Sequence, residues 1–158
     1  MPHIHRANDG IHIALDEQET GILRELTREM RLLLEADIPA QDEVLQRLFP
    51  RAYEEENDQL KYEELIGNEL RDVKREALRK VEEALGPSGP LDVELSASEV
   101  DEWLRFLNDV RLAIGTRLAV DEVKMDKEYD PNDPEAPALS VLHWLGWLQG
   151  TMLEQLNT

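Results

Sequence analysis

The chain has 158 residues, a length that fits one domain and hardly two. Hydrophobic residues make up 41% of it, enough for a core, and the lack of cysteine excludes disulfides, thiolate metal sites, iron–sulfur clusters and a cysteine nucleophile. Acidic residues outnumber Lys and Arg by 35 to 17, and the net charge of −18 disfavours binding to nucleic acid or to an anionic membrane. Without a membrane-spanning run or a signal-peptide pattern, we expect a cytoplasmic protein.

The N-terminal residues 1–15 predict a β-hairpin. Apolar side chains alternate along 11–15, directly after a turn at Asn8-Asp9-Gly10. Alternation around an Asp-Gly turn is typical of a hairpin. Two strands alone are marginally stable, so we expect the hairpin to pack on helices.

A first helix is predicted from Asp16 to about residue 36. Asp16 followed by Glu19 is typical of a capping box, and apolar residues recur behind it at helical spacing. These residues are Ile22, Leu26, Met30, Leu33 and Leu34. Pro39 interrupts the pattern, and a short helix over about 42–49 follows.

An acidic run at 53–58 leads into a third predicted helix, which we expect to break near Gly67-Asn68. The next helix is predicted to reach Leu85, where the Gly- and Pro-rich residues 86–90 end it. Its predicted core stripe consists of Leu70, Val73, Ala77, Val81 and Leu85.

The C-terminal half predicts a short extended segment, two helices and a loop. Residues 91–95 alternate, and Ser96 or Ser98 caps a helix that reaches about residue 119. Residues 121–136 are acidic and contain prolines, so we expect an exposed loop. Pro137 suits the first turn of a last helix, whose apolar residues cover most of its circumference and predict partners on several sides. The expected fold is a mainly α, single-domain bundle of about five or six helices over residues 1–158, with a small N-terminal β-hairpin.

Two cations fall inside predicted apolar stripes. On a helical wheel of residues 103–118, Arg111 lies within the apolar arc and Arg117 at its edge, whereas Asp109 falls on the far side as an exposed partner of Arg105. A guanidinium in a core stripe needs a carboxylate or carbonyl partner, because an unpaired buried charge is costly. Lys74 occupies a similar position in the preceding helix.

These cations allow two interpretations. Lys74 and the flanking Arg71 can belong to a structural ion network with acids near Tyr53, or to a pocket that binds an anionic small molecule or a partner's carboxylate. The basic cluster of that helix is a solvated face or, alternatively, a surface for DNA. Its members are Arg71, Lys74, Arg75, Arg79 and Lys80.

Other chemistry finds little support. His3, His5 and His12 can approach one another in the hairpin if the turn register places His12 opposite His5, but solvated strand histidines are the alternative, and we expect no metal site. His143 is interpreted as a core residue. The sequence contains no phosphate-binding loop, dinucleotide fingerprint or nucleophile elbow, so we expect neither a cofactor nor an enzyme.

Four stretches carry a family resemblance that extends over nearly the whole chain. They are LFPRAY at 48–53, LRDVK at 70–74, WLRFLNDVRLAIGTRL at 103–118 and WLGWLQ at 144–149. In order and spacing they resemble a bacterial family of unknown function, numbered twenty-seventeen among domain families. The family's motif positions fall here on Tyr53, Arg71, Lys74, Trp103, Asn108, Arg111, Gly115, Arg117 and Trp144.

The resemblance implies a small cytoplasmic helical protein of high-GC Gram-positive bacteria. Genes of the family typically lie beside that of the ClpS adaptor, which delivers substrates to the Clp protease, and some members carry a transcriptional-regulator label. The family supplies no catalytic residues to carry over.

The candidate polar network or pocket combines the wheel positions with the motif positions. It consists of Tyr53, Arg71, Lys74, Asn108, Arg111 and Arg117. The expected function is a non-enzymatic regulatory or adaptor-like interaction module with a link to Clp proteolysis. A regulator that binds a small anion and a DNA-binding regulator stay open as alternatives. We expect a protein partner rather than nucleic acid or a membrane, and a homodimer through the last helix is also open.

Overall fold

The computed structural model describes residues 2–35, 68–117 and 136–157, apart from the side chains of residues 68, 69 and 117. Within these ranges the chain forms four helices and one three-stranded sheet, so a mainly helical fold is confirmed. The predicted helices at 42–49 and after 53, and the predicted loop at 121–136 up to residue 135, lie outside the described residues. Ala136, the last residue of that predicted exposed loop, is instead buried and begins the last helix. None of the described helices combines the length and the apolar content that crossing a membrane requires.

The elements follow one another in a simple order. They are β1 (His3–Ala7), β2 (Gly10–Leu15), α1 (Glu17–Glu35), α2 (Asn68–Leu85), β3 (Leu91–Leu95), α3 (Ala97–Arg117) and α4 (Ala136–Leu156).

The predicted hairpin is confirmed, and β3 extends it to an antiparallel sheet of order β1-β2-β3. Asn8 has a φ of 54°, in the left-handed region that tight hairpin turns require. At Gly10 the sheet leaves no space for a side chain, because a Cβ there would lie 1.8 Å from the carbonyl oxygen of Leu95. The residue predicted as part of the turn therefore also permits the close approach of β2 and the end of β3.

Two capping boxes start the helices that flank the sheet. In the predicted box, the backbone N–H of Glu19 donates to Asp16 Oδ1 at 2.8 Å, and the backbone N–H of Asp16 donates to Glu19 Oε1 at 3.0 Å. Ser96 and Glu99 form the same reciprocal pair at the start of α3. Of the two serines considered from the sequence, Ser96 is therefore the cap of this helix.

The helices pack in a row in which α1 contacts α2, α2 contacts α3, and α3 contacts α4. The sheet lies against this row, with β1 on α4 and with β2 and β3 on α3. The core between the two layers combines the inner face of the sheet with the buried sides of the helices. Its largest fully buried members include Ile11, Ile13, Leu23, Leu34, Leu78, Leu91, Trp103, Phe106, Leu107, Leu145, Leu148 and Met152.

Two predicted stripes differ in part from the structure. In α2, Val73 is 41% exposed, although the other members of its predicted stripe are buried or half-buried. In α4, contacts with α3, β1 and β2 confirm the prediction of partners on several sides, but Trp147 is 47% exposed. The apolar pattern of α4 therefore extends further around the helix than its buried surface does.

Candidate functional site

Arg71 lies where α2 meets the end of α1. Its Nη1 donates a hydrogen bond of 2.6 Å to the backbone carbonyl of Leu34, in the last turn of α1. Carbonyls at a helix C-terminus carry partial negative charge and lack partners within the helix, so a guanidinium is a favourable donor there. The described contact of Arg71 is thus a structural link between two helices.

Lys74 forms an ion pair across the contact between α2 and α3. Its Nζ donates to Asp109 Oδ1 at 2.7 Å, and the two side chains are only 14% and 7% exposed. The helical wheel of α3 placed Asp109 on the exposed far side beside Arg105, and that prediction is wrong. The wheel failed because α3 is buried on two flanks, one facing α2 and one facing α4.

The burial of Asp109 changes its protonation. Removal from water raises the pKa of its carboxyl above the ordinary value, and this effect outweighs the hydrogen bond and the charge of Lys74, which lower it. The charge of Arg105 lowers the pKa further, but it is the smallest of these contributions. The ion pair therefore holds a carboxylate whose charged form is stabilised mainly by one lysine.

Arg111 lies on the opposite flank of α3 and contacts α4. Its Nη1 donates a hydrogen bond of 2.7 Å to Oε1 of Gln149. The predicted need for a carboxylate or carbonyl partner is met by this side-chain amide carbonyl, which is neutral. Nε of Arg111 is buried and has no hydrogen-bond partner among the described residues.

Gly146 lies beside the guanidinium of Arg111. A Cβ at Gly146 would lie 3.4 Å from Nη2 of Arg111, at the close limit of ordinary contacts. Glycine in the interior of a helix costs about 0.5–1 kcal/mol relative to alanine. The guanidinium lies beside the α4 backbone at a distance that an alanine at Gly146 would also tolerate.

The structure distributes the candidate network over the fold. The described contacts of Arg71, Lys74 and Arg111 join three different pairs of neighbouring helices. Asn108 is exposed. Tyr53 and the side chain of Arg117 lie outside the described residues.

Two residues whose side chains accept hydrogen bonds in these contacts were not among the predicted site residues. Asp109 was assigned to the surface, and Gln149 was only the last residue of a family motif. The signal for Gln149 is its position in α4, where a polar side chain follows Gly146 by one turn within an otherwise apolar segment. Residues three apart are neighbours on a helix surface, so Gln149 lies beside the glycine that the guanidinium approaches.

The histidines of the hairpin lie on one side of the sheet. His5 and His12 are direct partners in the β1–β2 register, with ring centroids 4.9 Å apart, so the question left open by the sequence is answered. Nε2 of His12 lies 2.5 Å from Asp92 Oδ1. Within the described ranges, no group of three or more potential ligands is close enough to hold a metal ion. His143 is exposed, so its interpretation as a core residue is wrong.

The basic face of α2 is balanced by acids of the same helix. Arg79 donates to Glu76 at 2.8 Å and to Glu83 at 3.1 Å, while Arg75 Nη1 lies 3.7 Å from Asp72 Oδ1. Such pairs are weak contributors to stability, but they reduce the positive potential that the face presents to an anion.

Comparison with known proteins identifies the family. The family model described as Domain of unknown function (DUF2017) matches residues 1–156. No curated protein and no solved structure matches the chain at a significant level. Because the family model covers all but the last two residues, the chain belongs to the DUF2017 family, as the order of its four motifs predicted.

Proposed function

We propose that this protein is a non-enzymatic interaction module, regulatory or adaptor-like, that recognises a protein partner through α3 and α4. The observation that carries the proposal is the distribution of exposed apolar side chains. Of the five large hydrophobic residues exposed within the described ranges, three lie on these two adjacent helices. They are Leu112, Trp147 and Leu153, at 37%, 47% and 43% exposure. Tryptophan is enriched among the residues that dominate binding energy at protein interfaces.

The charges of the chain favour a protein partner over nucleic acid. DNA binding requires lysine and arginine side chains that displace counterions from phosphates. On the basic face of α2, Arg79 is bonded to two glutamates, and the protein as a whole carries a net charge of −18. These features weaken the DNA-binding alternative.

The family resemblance adds a candidate for the partner. Its typical gene neighbourhood, beside the ClpS adaptor, suggests that the partner is a component of Clp proteolysis. We therefore include the purified ClpS adaptor and the Clp protease subunits as direct binding partners in the test.

The test is affinity capture from nuclease-treated native cytoplasm, read by mass spectrometry. The bait is the full chain as wild type, as Trp147→Ser and as Leu32→Ser. Leu32 is 72% exposed on α1 and serves as the matched control on another helix. We expect the wild type and Leu32→Ser to enrich the same defined protein. Trp147→Ser should enrich that protein at least about tenfold less.

Two other outcomes are informative. Identical protein sets for the three baits, or none enriched, would overturn the assignment to this surface. Sedimentation of the wild type and Trp147→Ser at equal concentration tests the homodimer alternative, which requires self-association that the substitution weakens.

A further inference from the structure

We infer that Arg111 anchors a binding site for a carboxylate in the contact between α3 and α4. The inference rests on the surroundings of this guanidinium and does not depend on the interaction role proposed above.

The described partner of Arg111 carries no counter-charge. A guanidinium has five N–H donors, and the described bond of Arg111 goes from Nη1 to the neutral amide of Gln149. Within the part of the chain that the structure describes, its buried Nε has no hydrogen-bond partner. The neighbouring helix α4 offers little compensation, since Glu154 is the one acidic residue in Ala136–Leu156 and lies exposed five residues beyond Gln149.

Other cations between the elements are matched by negative charge. Lys74 faces Asp109, and Arg31 is bonded to Glu82 and Glu35. Arg24 donates to the carbonyls of Leu85, Gly86 and Gly89, at the partially negative C-terminal end of α2. Among the described residues, by contrast, the hydrogen-bond partner of Arg111 is a neutral amide.

A carboxylate is the ligand that suits this position. The planar fork of a guanidinium matches a carboxylate with two parallel hydrogen bonds, and partial burial strengthens the attraction. Arg111 supplies one positive charge in a strongly acidic protein, which favours a singly charged anion over a phosphate dianion.

The α4 side of the guanidinium carries two glycines. Gly146 brings no side chain to this contact, and Gly150, one turn further along α4, is exposed, so that a Cβ there would meet no atom of another described element within 4 Å. Neither position therefore obstructs a small planar group that approaches the α4 side of Arg111.

The test follows the Nε–Hε signal of Arg111 in proton–nitrogen NMR spectra of the full chain. Sodium acetate is the probe, and sodium chloride keeps the ionic strength constant. We expect a saturable shift in the wild type and in Arg105→Gln, which removes an exposed arginine of the same helix. For Arg111→Gln, saturable acetate-dependent shifts of the surrounding backbone signals should be absent.

Substitution of Gln149 provides the sharpest variant. Gln149→Glu places a carboxylate against the same fork, so acetate affinity should fall by about tenfold or more while the melting temperature rises. Gln155→Glu adds the same charge six residues along α4 and should leave acetate binding unchanged.

A second probe distinguishes a carboxylate at the end of a peptide chain from a free small carboxylate. Acetylglycylglycine carries its carboxylate at the end of a peptide. Acetylglycylglycine amide, the control compound, has the same peptide without that charge. Tighter binding of the peptide than of acetate, lost in the amide, indicates a chain terminus, whereas equal binding indicates a free small carboxylate. No saturable response to either probe, an equal backbone response in Arg111→Gln, or undiminished affinity in Gln149→Glu would overturn the inference.

Discussion

The two flanks of α3 use charge in opposite ways. Toward α2, the buried Asp109 accepts a hydrogen bond from Lys74, so two opposite charges are removed from water together. Toward α4, Arg111 is half-buried and bonded to the neutral Gln149. A buried pair depends on both members, whereas an arginine bonded to an amide keeps the capacity to attract an anion. The first flank is therefore a structural joint, and the second is a candidate for recognition.

The largest expected effect comes from breaking the joint with Lys74→Met. This change leaves the Asp109 carboxylate buried without its lysine and should lower the free energy of unfolding by about 3–5 kcal/mol. Denaturant unfolding at neutral pH measures the loss. The double variant Lys74→Met with Asp109→Leu removes both charges and should recover most of it. A loss of under about 1 kcal/mol for Lys74→Met would show that the pair is not a closed structural contact.

The sequence pattern located both cations, Lys74 and Arg111, but it missed Asp109, the partner of Lys74. Lys74 and Arg111 were found because each lies in a stripe of apolar residues at helical spacing. Asp109 was missed because a wheel detects burial through apolar neighbours, and the flank of α3 that faces α2 includes a carboxylate. Which helix lies beside a given flank depends on long-range packing, and that information is absent from local periodicity.

Local features were predicted more successfully than non-local ones. The hairpin and the capping box at Asp16 depend on residues a few positions apart, so the sequence was sufficient for both. The pairing of β3 with β2 joins residues about eighty positions apart, such as Ile11 and Leu95, and only an extended segment was predicted there. The same limit applies to the contact between Arg111 and Gln149, which lie 38 positions apart.

A smaller effect is expected for Arg111→Ala. The change removes one charge-assisted hydrogen bond, but it also removes a half-buried charge and leaves no carboxylate stranded. We expect a loss of about 1 kcal/mol in the free energy of unfolding. Arg105→Ala, on the exposed side of the same helix, is the control and should cost less than about 0.5 kcal/mol. A loss for Arg111→Ala as large as that for Lys74→Met would contradict the distinction between the two flanks.

The smallest expected effect is the pH dependence of the free energy of unfolding, which should differ between the two flanks. The pKa of Asp109 is raised in the folded protein, because burial outweighs Lys74. As the pH falls from neutral through this raised pKa, the folded state binds a proton before the unfolded state does, so Asp109 adds stability until its unfolded pKa is passed. The wild type should therefore gain stability relative to Asp109→Asn on acidification.

Two control variants test the direction of this change in stability with pH. Glu76, whose pKa is lowered mainly by the hydrogen bond from Arg79, should behave oppositely, so the wild type should lose stability relative to Glu76→Gln over the same range. The difference between the wild type and Arg111→Ala should stay flat, because the described partner of Arg111 is an amide and not a carboxylate. Unfolding curves of the four proteins at several pH values measure these differences. If the wild type instead loses stability relative to Asp109→Asn on acidification, Lys74 outweighs burial, and the α2 flank then resembles a surface ion pair.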